Sequence, residues 1–154
     1  MKRAVVLLLL GTCFIFSGQG WSYDQDLAAG YETYFSAFSG KATPKALQMI
    51  PAKAFVEALK KGEQMLIIDI RTPGESAFYG LNLPNSLTIP MDQVFRPENL
   101  ARIPTDKKVV IACKAGHRAM AIATALRHIG FDNVFTLKHG IDDLVQFLSP
   151  KTAY

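Results

Sequence analysis

Runs of apolar residues divide the chain. Met65-Leu66-Ile67-Ile68-Asp69-Ile70 is unbroken apart from one acid, and Val109-Val110-Ile111-Ala112 is a second such run. Asn133-Val134-Phe135-Thr136-Leu137 and the shorter Ser86-Leu87-Thr88-Ile89 follow the same pattern. Short runs of this kind suit strands covered on both faces, as in a parallel sheet. Between them the apolar spacing changes to three and four. Within Pro51–Lys61, Phe55, Val56 and Leu59 share one face, with Lys53, Glu57, Lys60 and Lys61 opposite, and Gly62 ends the helix. Met120, Ile122, Ala123, Leu126 and Ile129 predict a helix over Ala119–Ile129, Ile141–Leu148 reads as a last one, and Val94–Ile103 reads as a weak one broken at Pro97. Strands alternating with helices predict an α/β fold around a parallel sheet. In such sheets ligands bind beyond the carboxyl ends of the strands, so the residues after Ile70, Ala112 and Leu137 are the candidates for a site.

The start of the chain follows a different pattern. Lys2-Arg3 precedes an apolar run from Ala4 to Phe16, and small residues follow at Ser17, Gly18, Gly20 and Ser22. That order predicts an export signal over residues 1–22, cleaved after Gly20 or Ser22, and hence a periplasmic protein with no stable membrane insertion once the signal is removed. The run is short for a membrane span, which takes about 20 residues. Leu10-Gly11-Thr12-Cys13 only partly matches a lipoprotein site. Without Lys2 and Arg3, the 17 basic residues fall to 15 against 13 acidic ones, a net charge of +2 that gives no reason to expect nucleic-acid binding. Residues 23–43 form an N-terminal arm. Leu27, Tyr31, Tyr34, Phe35 and Phe38 put an amphipathic helix between Tyr23 and Ser39, its aromatic stripe packing on the domain or against a second copy. Gly40 stops that helix and Thr43-Pro44 is a loop, after which the main domain runs over residues 44–150.

Removal of the signal leaves Cys113 as the only cysteine. A single thiol in an exported protein is marked for intermolecular pairing or for reactivity. Cys113 ends its strand, and Lys114, Ala115, Gly116, His117 and Arg118 lead into the following helix. A strand–loop–helix turn aims successive backbone N–H groups at one point, where the helix dipole adds positive potential. A thiol at that point, among Lys114, His117 and Arg118, is expected to be a thiolate near neutral pH. The alternative, a small buried hydrophobe, leaves the three basic residues without a purpose. Asp69 lies inside an apolar strand and needs a partner. Arg71 points to the same side by the period of two, and Glu75 is near enough in sequence to pair with Arg71. These three are expected chiefly to clamp the loop Arg71–Glu75, with a direct role for Arg71 near the cysteine as the second option.

Taken together, Asp69-Ile70-Arg71-x-x-x-Glu75, Leu83-Pro84-Asn85-Ser86, Cys113-x-x-Gly116-x-Arg118 and Leu137-x-x-Gly140-Ile141 resemble a single-domain rhodanese across residues 44 to 148. The resemblance implies a five-stranded parallel sheet flanked by helices on both faces. It implies sulfurtransfer in which Cys113 takes sulfane sulfur as a covalent persulfide from thiosulfate or a similar donor and passes it to cyanide or a thiol, with no other cofactor. Lys114, Ala115, Gly116, His117 and Arg118 match the loop that cradles the persulfide and the anionic end of the donor. Attack of a thiolate on sulfur needs no metal, and Lys114 and Arg118 with backbone donors would neutralise a small dianion. His117 is a proton donor or simply adds positive potential. The family's Gly-His stands here as Leu81-Asn82, its paired glycines as His139-Gly140, and a tryptophan that often follows is absent. Cys-x4-Arg is one residue shorter than the loop of related phosphatases and arsenate reductases, which makes that activity a minor alternative. The main alternative is a sulfur carrier that serves a partner protein with little turnover of its own.

Overall fold

The structure is a computed structural model and describes residues 22–150. The leader reading of residues 1–22 therefore lies outside the described residues, except for Ser22. Among the described residues no helix is long and apolar enough to cross a membrane.

Five parallel strands form one sheet: β1 (Met49–Ile50), β2 (Met65–Asp69), β3 (Ser86–Thr88), β4 (Lys108–Ala112) and β5 (Val134–Leu137), in the order β1-β5-β4-β2-β3. The helices are α1 (Gln25–Phe35), α2 (Thr43–Ala46), α3 (Ala52–Lys60), α4 (Pro73–Phe78), α5 (Pro97–Leu100), α6 (His117–His128) and α7 (Gly140–Phe147). Every residue of β2 is buried, Asp69 included, as a strand covered on both faces requires. The side-chain period of two divides the core. Leu66, Ile68, Ile70, Val109, Ile111 and Cys113 face Ala119, Ile122, Ala123 and Leu126 of α6. Met65, Ile67, Val110 and Ala112 face the other way, onto Phe55 and Val56 of α3 and Ile141 and Leu144 of α7. The sheet thus has helices on both faces, as expected.

The local differences have physical causes. β1 is two residues long and pairs only with β5, too short to leave a periodic trace. The loop expected at Arg71–Glu75 instead turns into α4. Thr72 caps it by accepting from the Glu75 N–H at 3.3 Å, while the Glu75 carboxylate accepts from the Thr72 N–H at 3.0 Å. The loop expected at Thr43-Pro44 is the first turn of α2, where proline's missing N–H has no helical partner to lose. Over Val94–Ile103 only Pro97–Leu100 is α-helical, preceded by a 3-10 turn at Met91–Gln93. The apolar positions there, Val94 and Ile103, are buried without a regular helix to carry them.

The N-terminal arm packs on its own domain. Asp24 caps α1 by accepting from the Leu27 N–H at 2.9 Å. Tyr31 stacks on His128, their ring centres 4.0 Å apart, and Arg127 Nε donates to the Tyr34 hydroxyl at 2.9 Å. Gly30 lies against His128, where an added Cβ would meet Nε2 at 3.0 Å. The arm therefore meets α6 at its C-terminal end, the end away from Cys113.

Candidate active site

Cys113 follows the last residue of β4, and α6 begins at His117. The chain turns between them through Gly116, whose φ of +90° lies in the left-handed region open to glycine. This turn brings two amides onto the cysteine: Gly116 N–H donates to Cys113 Sγ at 3.2 Å and Ala119 N–H at 3.4 Å. Both donors, and the N-terminus of α6 behind them, present positive potential to the sulfur. Cys113 itself is 1% exposed. Lys114, Ala115 and His117 are exposed, Gly116 is buried and Arg118 is half-buried.

The amides can face the sulfur because the carbonyls on the other side of the loop are held. Ile141 N–H donates to the Cys113 carbonyl at 2.8 Å, and Asp142 N–H to the Lys114 carbonyl at 3.0 Å. These donors belong to the first turn of α7, whose N–H groups have no partner within the helix. The approach depends on Gly140. Its φ is +68°, and a Cβ there would lie 2.3 Å from both the Cys113 and Lys114 carbonyl oxygens. His139, standing where the family has glycine, also adopts a left-handed φ of +58°.

Arg118 does not stand free. Its two terminal nitrogens grip Glu75, Nη1 to Oε2 at 2.9 Å and Nη2 to Oε1 at 2.6 Å. This corrects the expected Arg71–Glu75 pair: Glu75 sits on α4, which turns its carboxylate toward the cysteine loop instead. Arg71 is paired wholly with Asp69, through Nε at 3.0 Å and Nη2 at 2.7 Å, and Nη2 also donates to the Tyr79 carbonyl at 2.8 Å. Ser76 Oγ adds a bond to Asp69 at 3.2 Å, and the Arg71 guanidinium lies 4.7 Å from the centre of the Tyr79 ring. Asp69 and Arg71 are 2% and 1% exposed, and Arg71 clamps the segment carrying α4. Two ion pairs thus run from β2 through α4 to the cysteine loop. Tyr79, Ser76, Thr72 and Gly140 belong to this support, although no motif of charged residues marks them.

Hydrogen bonds from Arg118 hold the Glu75 carboxyl well below the usual carboxylate range, helped by those from Thr72. The same pair raises the Arg118 guanidinium above its ordinary value, and the Cys113 side chain adds to the effect. A carboxyl whose folded pKa is lowered stabilises the fold above its ordinary value and loses that contribution as the pH falls toward the lowered one. The difference in thermal stability between the protein and Glu75→Gln is therefore expected to stay constant from neutral pH down to near 4.5, the ordinary value, and to shrink below it. Melting curves across that range check this.

Cavities flank the loop. One of about 340 Å³ is lined by Arg71, Gly74, Glu75, Phe78, Tyr79 and Lys114. Another, of about 560 Å³, includes Thr72, Pro73, Met91 and Arg118 in its wall. The rhodanese-like domain family model matches residues 52–146, which include every residue of this site. A sulfurtransferase of Allochromatium vinosum is 35% identical over 92 residues, which cover 60% of this chain and 82% of that protein. Among solved structures, a rhodanese-related protein from Thermoplasma volcanium superposes with a TM-score of 0.57 at 26% identity, covering 67% of this chain and 95% of the other. A rhodanese-like domain protein from Staphylococcus aureus gives 0.56 at 25% identity, covering 63% and 90%.

Proposed function

The chain belongs to the rhodanese-like domain family, among relatives that include a sulfurtransferase, and on that footing we propose that it carries sulfane sulfur on Cys113. The observation that supports this most is the pair of amide donors on Cys113 Sγ at the head of α6. In the first half-reaction the Cys113 thiolate attacks the outer sulfur of the donor. A sulfur–sulfur bond forms at Cys113, the bond to the donor breaks, and the leaving group departs with its electron pair, as sulfite if the donor is thiosulfate. In the second, cyanide or a thiolate attacks the outer sulfur of the persulfide, and the Cys113 thiolate is released. Neither step requires an external oxidant or reductant. The N–H groups of the loop hold charge on the outer sulfur as it develops, and removing one such donor typically costs about 100-fold or more in rate. Lys114 neutralises the anionic end of the donor, and His117, exposed at the first position of α6, adds positive potential beside it.

The basic and then apolar residues from Lys2 to Phe16 support export to the periplasm as the setting of this chemistry. Thiosulfate and cyanide supplied to the purified protein are expected to yield thiocyanate, and Cys113→Ser to yield none above the uncatalysed rate. Thiocyanate formation undiminished in Cys113→Ser would exclude the proposed route. Sulfur uptake without thiocyanate would favour the carrier reading over turnover.

A further inference from the structure

A third cavity, of about 240 Å³, opens on the β5 side of the cysteine loop, and neither Glu75 nor Lys114 lines it. We propose that it seats the acceptor: Lys138 and His139 select thiols that carry a second negative charge, a carboxylate or a sulfonate, on a short chain. The inference rests on the sulfurtransferase reading above and adds the class of acceptor.

Three observations carry it. The first is position. Gly116, whose N–H donates to Cys113 Sγ at 3.2 Å, belongs to the wall, as does its neighbour Ala115. A molecule in this space therefore lies against the turn that holds the sulfur. The second is charge. Lys138, His139 and His117 line the cavity, and no acid is among its lining residues. Thr136 Oγ1 reaches Met120 Sδ of α6 at 4.0 Å, so Lys138, two residues on, leaves the sheet on the α6 side as well. Lys138 is half-buried and, among the described residues, stands outside every ion pair. Such an ammonium gains from an anion, and the two imidazoles add N–H donors. Met49 and Met120 supply an apolar wall for a short carbon chain. The third is the backbone. His139 holds a φ of +58°, where the family pattern has a glycine that adopts this conformation freely. A side chain is kept there at a cost, and strain of this kind gathers at ligand sites. His139 is also seated on the cysteine turn, since a Cβ on Gly116 would lie 3.0 Å from its backbone nitrogen.

The step served is the second half-reaction. The acceptor thiolate attacks the outer sulfur of the persulfide, a new sulfur–sulfur bond forms, and Cys113 leaves with the electron pair of the old one. The acceptor's second charge rests on Lys138 throughout.

The test loads Cys113 from thiosulfate, removes the donor, and follows loss of the extra sulfur by intact mass against acceptor concentration. Mercaptoethanesulfonate is the charged acceptor and mercaptoethanol its neutral counterpart. Each is compared with itself across variants, so their different intrinsic reactivities cancel. In Lys138→Gln the half-saturating concentration of the sulfonate is expected to rise about two- to fivefold more than that of the neutral thiol, the scale of an exposed charge interaction. His139→Gly is expected to move the ratio in the same direction and to keep its fold, because glycine adopts this φ without strain. A ratio that either variant leaves unchanged or moves the other way would overturn the inference alone, as would a loaded Cys113 that neither thiol discharges. Failure of the unmodified protein to load from thiosulfate would overturn the sulfurtransferase reading, and the inference with it.

Discussion

Gly140→Ala is expected to disable the protein while altering no residue that bears the chemistry. An alanine there must hold a φ of +68°, and its Cβ must fit 2.3 Å from two carbonyl oxygens of the cysteine loop. The left-handed backbone costs about 1–2 kcal/mol, and forcing extra volume into a packed contact costs about 1–3 kcal/mol more. Atoms cannot remain that close, so either the loop lifts from α7 or the start of α7 unwinds. In both cases the bonds from Ile141 and Asp142 to the Cys113 and Lys114 carbonyls are lost. The amides of the loop then no longer converge on the sulfur. The melting temperature is expected to fall by about 5–15 °C, and sulfur loading of Cys113 to fall by about 100-fold or more, the cost of losing a preorganised donor. A variant that melts lower but loads at the normal rate would show that α7 supports the fold without orienting the loop.

The second large effect is at Asp69. The Asp69→Ala variant leaves the Arg71 guanidinium buried without its counter-ion, at a cost of about 3–5 kcal/mol. The carboxylate holds Arg71 by three side-chain contacts between 2.7 and 3.1 Å and also accepts from Ser76, so the start of α4 loses its anchor as well. Replacing both partners with apolar residues, Asp69→Leu with Arg71→Met, removes the uncompensated charge. The double variant is expected to be more stable than Asp69→Ala. Chemical denaturation of the three proteins checks this. A double variant less stable than Asp69→Ala would mean that Arg71's bond to the Tyr79 carbonyl outweighs its charge.

The contrast between these residues shows what the sequence makes legible. The strands β2 and β4 are evident because a parallel sheet buried on both faces needs continuous apolar runs, and each carries one, at residues 65–68 and 109–112. Cys113 and its loop are evident because basic residues cluster beside a lone thiol at a strand end. The Asp69–Arg71 pair follows from the alternation of side chains along a strand. The partner of Glu75 is less accessible. Its nearest cation in sequence is Arg71, yet its partner in space is Arg118, separated by 43 residues. Only the position of α4, fixed by Thr72 and by the Asp69–Arg71 clamp, decides between them. The role of Gly140 is hidden for a similar reason. One glycine at the start of a helix says nothing about which carbonyl it approaches. β1 escapes notice because two residues cannot display a period, and Met49 and Ile50 become a strand only through pairing with Thr136 and Leu137.

The proposed chemistry rests on a single atom, the sulfur of Cys113. Its most direct test is peptide-level mass spectrometry of the protein after exposure to thiosulfate and, separately, to glutathione persulfide. One additional sulfur on the Cys113 peptide, released by cyanide, is the predicted result. An unmodified Cys113 peptide after both donors would contradict the account.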